Sequence, residues 1–68
     1  MRKYVERMEQ ERKDVLSKIS KAKKVIADPP FDIDKHQVLL LAKQVKVMDE
    51  YVSCLDERLE YEKLLGNR

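Results

Sequence analysis

The fold is decided by residues 33–65, which read IDKHQVLLLAKQVKVMDEYVSCLDERLEYEKLL. Apolar residues recur in this stretch with alternating gaps of three and four, which is the spacing of one face of an α-helix. We call this face the core stripe, and it comprises Val38, Leu41, Val45, Met48, Val52, Leu55 and Leu59. The pattern therefore predicts a long amphipathic helix.

A second stripe lies beside the core stripe on the same helix. We call it the outer stripe, and it comprises Leu40, Gln44, Val47, Tyr51, Cys54, Arg58, Tyr61 and Leu65. Together the two stripes cover a wider arc than one partner helix can shield. We therefore expect this helix to contact the rest of its own chain on one side and another chain or a ligand on the other.

The residues before this stretch predict a first helix over residues 2–27 and a sharp end to it. Its apolar face is interrupted by Arg12 and comprises Met1, Val5, Met8, Val15, Ile19, Ala22 and Ile26. Asp28-Pro29-Pro30 ends the helix, because proline cannot donate to the helical hydrogen-bond ladder and disfavours helical geometry in the residue before it. Asp34 with Gln37 forms a capping-box pattern, so the second helix begins near Lys35.

The short connection at residues 28–34 favours an antiparallel pairing of the two helices. The predicted fold class is therefore all-α: a coiled-coil-like antiparallel helical hairpin, with one domain over residues 1–68, helices at 2–27 and 35–65, and the Asp-Pro-Pro turn between them. In this register Arg12 comes within reach of Asp49 or Asp56, and Phe31 is expected to close the hairpin beside the turn. A 68-residue chain is near the lower limit for a stable core, so we expect a homo-oligomeric helical bundle.

Composition excludes several classes of protein. The lone Cys54 and lone His36 exclude an intrachain disulfide and a zinc finger, which fits a reducing compartment. The chain has no apolar run near 18 residues and no apolar signal segment at its charged N-terminus. The apolar arc of the second helix lacks Trp and is bordered by Asp and Glu where a membrane surface needs basic residues. We therefore expect a cytoplasmic protein that does not bind membranes.

No catalytic or metal-binding arrangement is visible. Cys54 has no histidine nearby in the hairpin register, and neighbouring carboxylates such as Asp49 and Glu50 point about 100° apart on a helix. Lysines and His36 gather toward the turn, but aromatic residues do not alternate with them, so specific nucleic-acid binding is not expected. The sequence predicts a protein that is not an enzyme and has no catalytic residues, cofactor or metal.

Polar-tipped side chains on the outer stripe suit an interface that needs orientation as well as burial. The candidate ligand-binding residues, drawn from neighbouring hairpins, are Tyr51, Arg58, Tyr61, Arg7, Arg12 and Gln44. The candidate oligomer interface comprises Leu40, Val47, Tyr51, Cys54 and Leu65. Three uses of this face remain open: packing against another copy, a pocket that binds a nucleotide-like anion, or docking onto a host protein.

A wider pattern spans almost the whole chain. It consists of Tyr4-x-x-Arg7-Met8, Glu11, Lys18-Ile19, Val25-Ile26, Phe31, Leu40-Leu41, Gln44, Met48, Tyr51, Leu55 and Arg58. In these residues the chain resembles a family of small uncharacterised helical-hairpin proteins of crAss-like and other tailed phages. It differs from that family's pattern in its Asp-Pro-Pro turn and in Asp34, where serine or threonine is expected.

The resemblance implies a phage protein made in the host bacterial cytoplasm and used in host takeover or counter-defence. Small phage hairpins of broadly similar architecture form oligomeric sponges that trap nucleotide second messengers of bacterial immunity. The resulting hypothesis is an oligomeric anti-defence protein that sequesters a nucleotide-type immune signal. The alternatives are a helical module that inhibits a host protein and a virion assembly or structural factor.

Overall fold

Two helices make up the fold in the computed structural model, which describes residues 2–66. Helix α1 spans Lys3–Ala27 and helix α2 spans Lys35–Gly66, and no strand occurs within this range. The helices pack along their length into a rod of 54 × 15 × 14 Å. The prediction of an all-α antiparallel hairpin is confirmed, and assembly into a homo-oligomer stays a prediction.

Helix α1 runs without a break through Arg12. Its first turn forms as the backbone N–H groups of Val5 and Glu6 donate to the carbonyl oxygen of Arg2, at 3.1 and 3.3 Å. It ends at Ala27, and the N–H of the capping residue Asp28 still donates to the Lys24 carbonyl before the two prolines remove further donors. The continuous helix keeps the apolar positions before and after Arg12 on one face.

Asp34 caps the start of α2. Its Oδ1 accepts a hydrogen bond from the backbone N–H of Gln37 at 2.9 Å, and its carbonyl oxygen accepts from the N–H of Val38. The side chain thus satisfies one of the donors that every helix leaves free in its first turn. This contact is the N-cap half of the capping box expected from the sequence.

Replacing Asp34 by alanine is expected to lower the free energy of unfolding by about 1 kcal/mol, because the capping acceptor is lost. Urea denaturation followed by circular dichroism measures the change. Asp32→Ala is the matched control, since it removes a carboxylate from the exposed turn two residues earlier. An equal loss of stability in the two variants would contradict a capping role for Asp34.

The expectation that Phe31 closes the hairpin beside the turn is wrong. Phe31 is fully exposed, at 105% of its reference area. The N–H of Ile33 donates to the Pro30 carbonyl at 3.1 Å, which places Phe31 at a central position of a tight turn. Side chains at such positions point away from the body of the hairpin, and the half-buried Ile33 lies against it instead.

The core forms along the seam between the two helices. Its buried members are Met8, Val15, Ile19, Ala22, Val45, Val52 and Leu55. Every member of the core stripe is buried or half-buried, whereas every member of the outer stripe except the half-buried Leu65 is exposed. One side of α2 is therefore covered by α1 and the neighbouring side is not.

An ion pair between Arg12 and Asp56 joins the helices across the seam. The Nε of Arg12 donates to Oδ1 of Asp56 at 2.5 Å, and the two side chains are 39% and 49% exposed. This is the contact that the hairpin register predicted for Arg12. Because exposed pairs are screened by water, it identifies the register more than it stabilises the fold.

Removal of this pair is expected to have a small effect on stability. Arg12→Ala should lower the free energy of unfolding by less than about 1 kcal/mol, and the effect should shrink in high salt. Urea denaturation at low and high ionic strength measures both quantities. If the free energy of unfolding instead fell by several times this amount, and salt did not change the loss, the pair would be a principal source of stability.

Candidate functional site

The open end of the hairpin is joined by a three-residue network. Nη1 of Arg2 donates to the hydroxyl of Tyr4 at 2.9 Å and lies 3.4 Å from Oε2 of Glu62. The Tyr4 hydroxyl in turn donates to Oε1 of Glu62. The hydrogen bond with Tyr4, followed by the charges of Tyr4 and Glu62, raises the pKa of Arg2. The first turn of α1 is thereby fixed to the last turns of α2.

A shallow groove of about 260 Å³ lies on one flank of this network, and we call it the aromatic groove. It is lined by Tyr4, Met8, Glu57, Arg58, Tyr61 and Glu62. The Tyr4 and Tyr61 side chains are 41% and 61% exposed, so parts of their rings are open to solvent. The groove brings two rings and a guanidinium within one small surface.

These groups suit a planar, negatively charged molecule. Aromatic rings stack on the flat face of a base, and a guanidinium binds phosphate through paired hydrogen bonds. The same groove holds two carboxylates, of which Glu62 is already neutralised by Arg2. One copy of the chain therefore supplies stacking surface but no net positive charge.

A larger groove of about 710 Å³ occupies the other flank, and we call it the charged groove. Its apolar residues are Val5, Leu59 and Leu65. Its charged residues are Arg2, Arg12, Lys13 and Lys63 on the basic side and Glu9, Asp56, Glu60 and Glu62 on the acidic side. Because the charges balance and Arg12 already pairs with Asp56, this surface shows no preference for anions.

The structure separates the ligand-binding candidates named from the sequence. Arg58 and Tyr61 lie together in the aromatic groove, whereas Arg12 lines the charged groove. The exposed Gln44 and Tyr51 lie farther along the outer stripe toward the turn. Arg7 is exposed on α1 and is not among the residues that line either groove.

The interface candidates form a nearly continuous exposed surface. Leu40, Val47 and Tyr51 are 45%, 56% and 43% exposed, and Cys54 is an exposed free thiol. The fifth candidate, Leu65, is half-buried and lines the charged groove. Four of the five therefore remain available to a further partner on a single hairpin.

Sequence reasoning missed Tyr4 and Glu62, which complete the aromatic groove. The hairpin register carried a signal for both, because pairing outward from the turn places the first residues of α1 beside the last turns of α2. Neither residue belongs to the apolar face of α1 or to a stripe of α2, so helical periodicity did not single them out. The structure identifies them through direct hydrogen bonding.

Within residues 2–66 no three or more His, Cys, Asp or Glu side chains lie in a group that could hold a metal ion. In the same range neither helix is long and apolar enough to cross a membrane.

Comparison with known proteins gives one positive finding. A family model with the description Sequestin matches residues 2–68, which is nearly the entire chain. No curated protein and no solved structure matches it.

Proposed function

The chain belongs to the Sequestin family, and from this premise we propose that it is a binding protein that sequesters a nucleotide-type small molecule. The family name is consistent with a sequestering role and suggests a binding protein rather than an enzyme. The proposed action is stoichiometric: each molecule bound is withdrawn from solution and is not chemically altered.

The aromatic groove is the observation that carries this proposal. Tyr4 and Tyr61 present partly exposed rings beside the guanidinium of Arg58. A base would stack on a tyrosine ring, and a phosphate or pyrophosphate would pair with Arg58. A nucleotide is the common class of small molecule that offers a flat ring and an anion together.

The network at the open end supports the same assignment. Tyr4 is held in position by Arg2 and Glu62, so its ring is fixed before a ligand arrives. A side chain that is already ordered loses less conformational entropy on binding. The network therefore prepares one wall of the groove for stacking.

The resemblance to phage hairpin proteins suggests the biological setting of this binding. The protein would act in the cytoplasm of an infected bacterium, where nucleotide second messengers activate immune effectors. Withdrawal of such a signal needs only binding, which suits a small chain that carries no catalytic signature. Its proposed role is counter-defence.

A thermal-shift panel of cyclic dinucleotides and ADP-ribose derivatives tests the proposed ligand class. A ligand that binds only the folded chain, present at 100 times its dissociation constant, is expected to add about 2.7 kcal/mol to the free energy of unfolding. The matching free bases and ribose phosphates serve as controls, since each offers only the ring or only the anion. Unfolding temperatures unchanged across the panel would contradict the proposal.

A second candidate function rests on apolar side chains outside the aromatic groove. Leu39, Leu64 and Phe31 are 69%, 63% and 105% exposed. Leu39 and Leu64 both project from α2, and exposed apolar side chains on a helix can dock into a groove of a protein partner, so the chain would instead block a host protein through this helix. Affinity capture from bacterial lysate distinguishes the two functions. A stoichiometric protein partner with no nucleotide bound would favour this second candidate.

A further inference from the structure

The outer stripe has a symmetric spacing. Its eight positions follow one another with gaps of four, three, four, three, four, three and four residues. The same series is read from either end, so the stripe can lie against a reversed copy of itself. A stripe that packs antiparallel on its own copy forms an isologous interface, the kind found in two-fold symmetric dimers.

An antiparallel pairing of two α2 helices brings each outer-stripe residue level with another. The two-fold axis passes between Tyr51 and Cys54. The four pairs, each formed between different copies, are Leu40 with Leu65, Gln44 with Tyr61, Val47 with Arg58, and Tyr51 with Cys54. A parallel pairing would instead place Arg58 beside Arg58, which electrostatic repulsion disfavours.

Charge along α2 favours the same direction. The first half of the helix carries Lys35, Lys43 and Lys46 against Asp49 and Glu50. The second half carries Asp56, Glu57, Glu60 and Glu62 against Arg58 and Lys63. Antiparallel packing therefore sets a net positive half over a net negative half.

The exposed area of one hairpin is large enough to accommodate such a partner. Its accessible surface is 5833 Å², whereas a compact monomer of 8.1 kDa exposes about 4,500 Å². Its radius of gyration is 15.7 Å, against about 11 Å for a compact chain of this length. The excess of about 1,300 Å² exceeds the roughly 800 Å² that each partner buries in a standard stable interface.

We propose that two copies of this chain pack antiparallel through the outer stripe, and that each copy thereby completes the aromatic groove of the other. Gln44 of the second copy lies level with Tyr61, at the edge of the aromatic groove. The second copy adds an amide to a groove that has no net positive charge of its own. The role of the completed groove as a nucleotide site rests on the proposed function, whereas the pairing does not.

Cross-linking tests the pairing and the completed groove without any ligand. In a Cys54→Ser background, Gln44→Cys and Tyr61→Cys are made as separate variants and treated with a short bismaleimide. The antiparallel register predicts cross-linked dimers in the mixture and none in either variant alone, because like positions are about 25 Å apart along the axis. Circular dichroism confirms that each variant is helical. Cross-linking within either single variant would overturn the proposal.

Light scattering on the unmodified chain provides the second arm. The expected mass at micromolar concentration is that of a dimer or a multiple of it. A helical chain that remains monomeric overturns the proposal. Binding of a bacterial protein to the outer stripe, instead of a second copy of the chain, also overturns it.

Complementation between two variants tests the shared site. The ligand is a cyclic dinucleotide or ADP-ribose derivative that raises the unfolding temperature of the unmodified chain. Arg58→Ala and Gln44→Ala should each weaken binding at least tenfold. Their equal mixture should regain about a quarter of the sites, because half of the random dimers are mixed and one of their two grooves is intact. No recovery, with cross-linking as expected, overturns the shared site. An unmodified chain that binds nothing in the panel contradicts the proposed function and leaves the cross-linking result valid.

Discussion

Replacing Leu55 by alanine is expected to lower the free energy of unfolding by about 2–5 kcal/mol. Leu55 is 2% exposed and is the most deeply buried large side chain of the hairpin. A core of this size supplies only about 3–5 kcal/mol, so a substantial fraction of the variant should be unfolded at room temperature. Urea denaturation followed by circular dichroism measures the change.

Leu39→Ala is the matched control, because it makes the same chemical change on the same helix at a side chain that is 69% exposed. Its effect is expected to stay within about 0.5 kcal/mol. Similar losses in the two variants would show that the seam between α1 and α2 is not the main source of stability.

Loss of Arg58 is expected to have the largest effect on ligand binding. Arg58→Ala should raise the dissociation constant of a bound nucleotide about tenfold to a hundredfold, because a charge-assisted hydrogen bond contributes about 1.5–3 kcal/mol. Arg58→Lys should recover only part of the affinity, since lysine keeps the charge and loses the planar guanidinium. Isothermal titration calorimetry measures both dissociation constants.

Lys24→Ala provides the control for charge alone. Lys24 is exposed in the last turn of α1, at the turn end of the hairpin and away from the aromatic groove, and its loss changes the net charge equally. The dissociation constant of the nucleotide for this variant is expected to remain within about twofold of its value for the unmodified chain. Equal losses in Lys24→Ala and Arg58→Ala would indicate attraction to overall charge and would contradict a specific site.

Apolar spacing was sufficient to predict the hairpin because two amphipathic helices joined by a short proline turn have few ways to bury their faces. The buried Val15, Ile19 and Val45 lie on the expected faces, and Asp34 caps α2 as its position suggested. Helix periodicity determines which positions face the seam. The same periodicity contains no information about a side chain in a turn, and Phe31 was therefore placed wrongly.

The aromatic groove was only partly predictable. Arg58 and Tyr61 could be named because they interrupt an apolar stripe with polar tips. Tyr4 and Glu62 could not be named by that criterion, since their pairing depends on how the helix ends meet across the hairpin. The position of Arg12 on the charged groove likewise depends on the rotation of α1 about its axis, which a stripe of apolar residues defines only coarsely.

Recovery of the bound nucleotide tests the central claim most directly. Each member of the panel is incubated with an excess of the chain and passed through a filter that retains protein, and the retained protein is then denatured by heat. The account predicts that at least one cyclic dinucleotide or ADP-ribose derivative disappears from the filtrate and returns chemically unchanged after heating. A filtrate that keeps every nucleotide, or a nucleotide that returns cleaved or modified, would contradict sequestration.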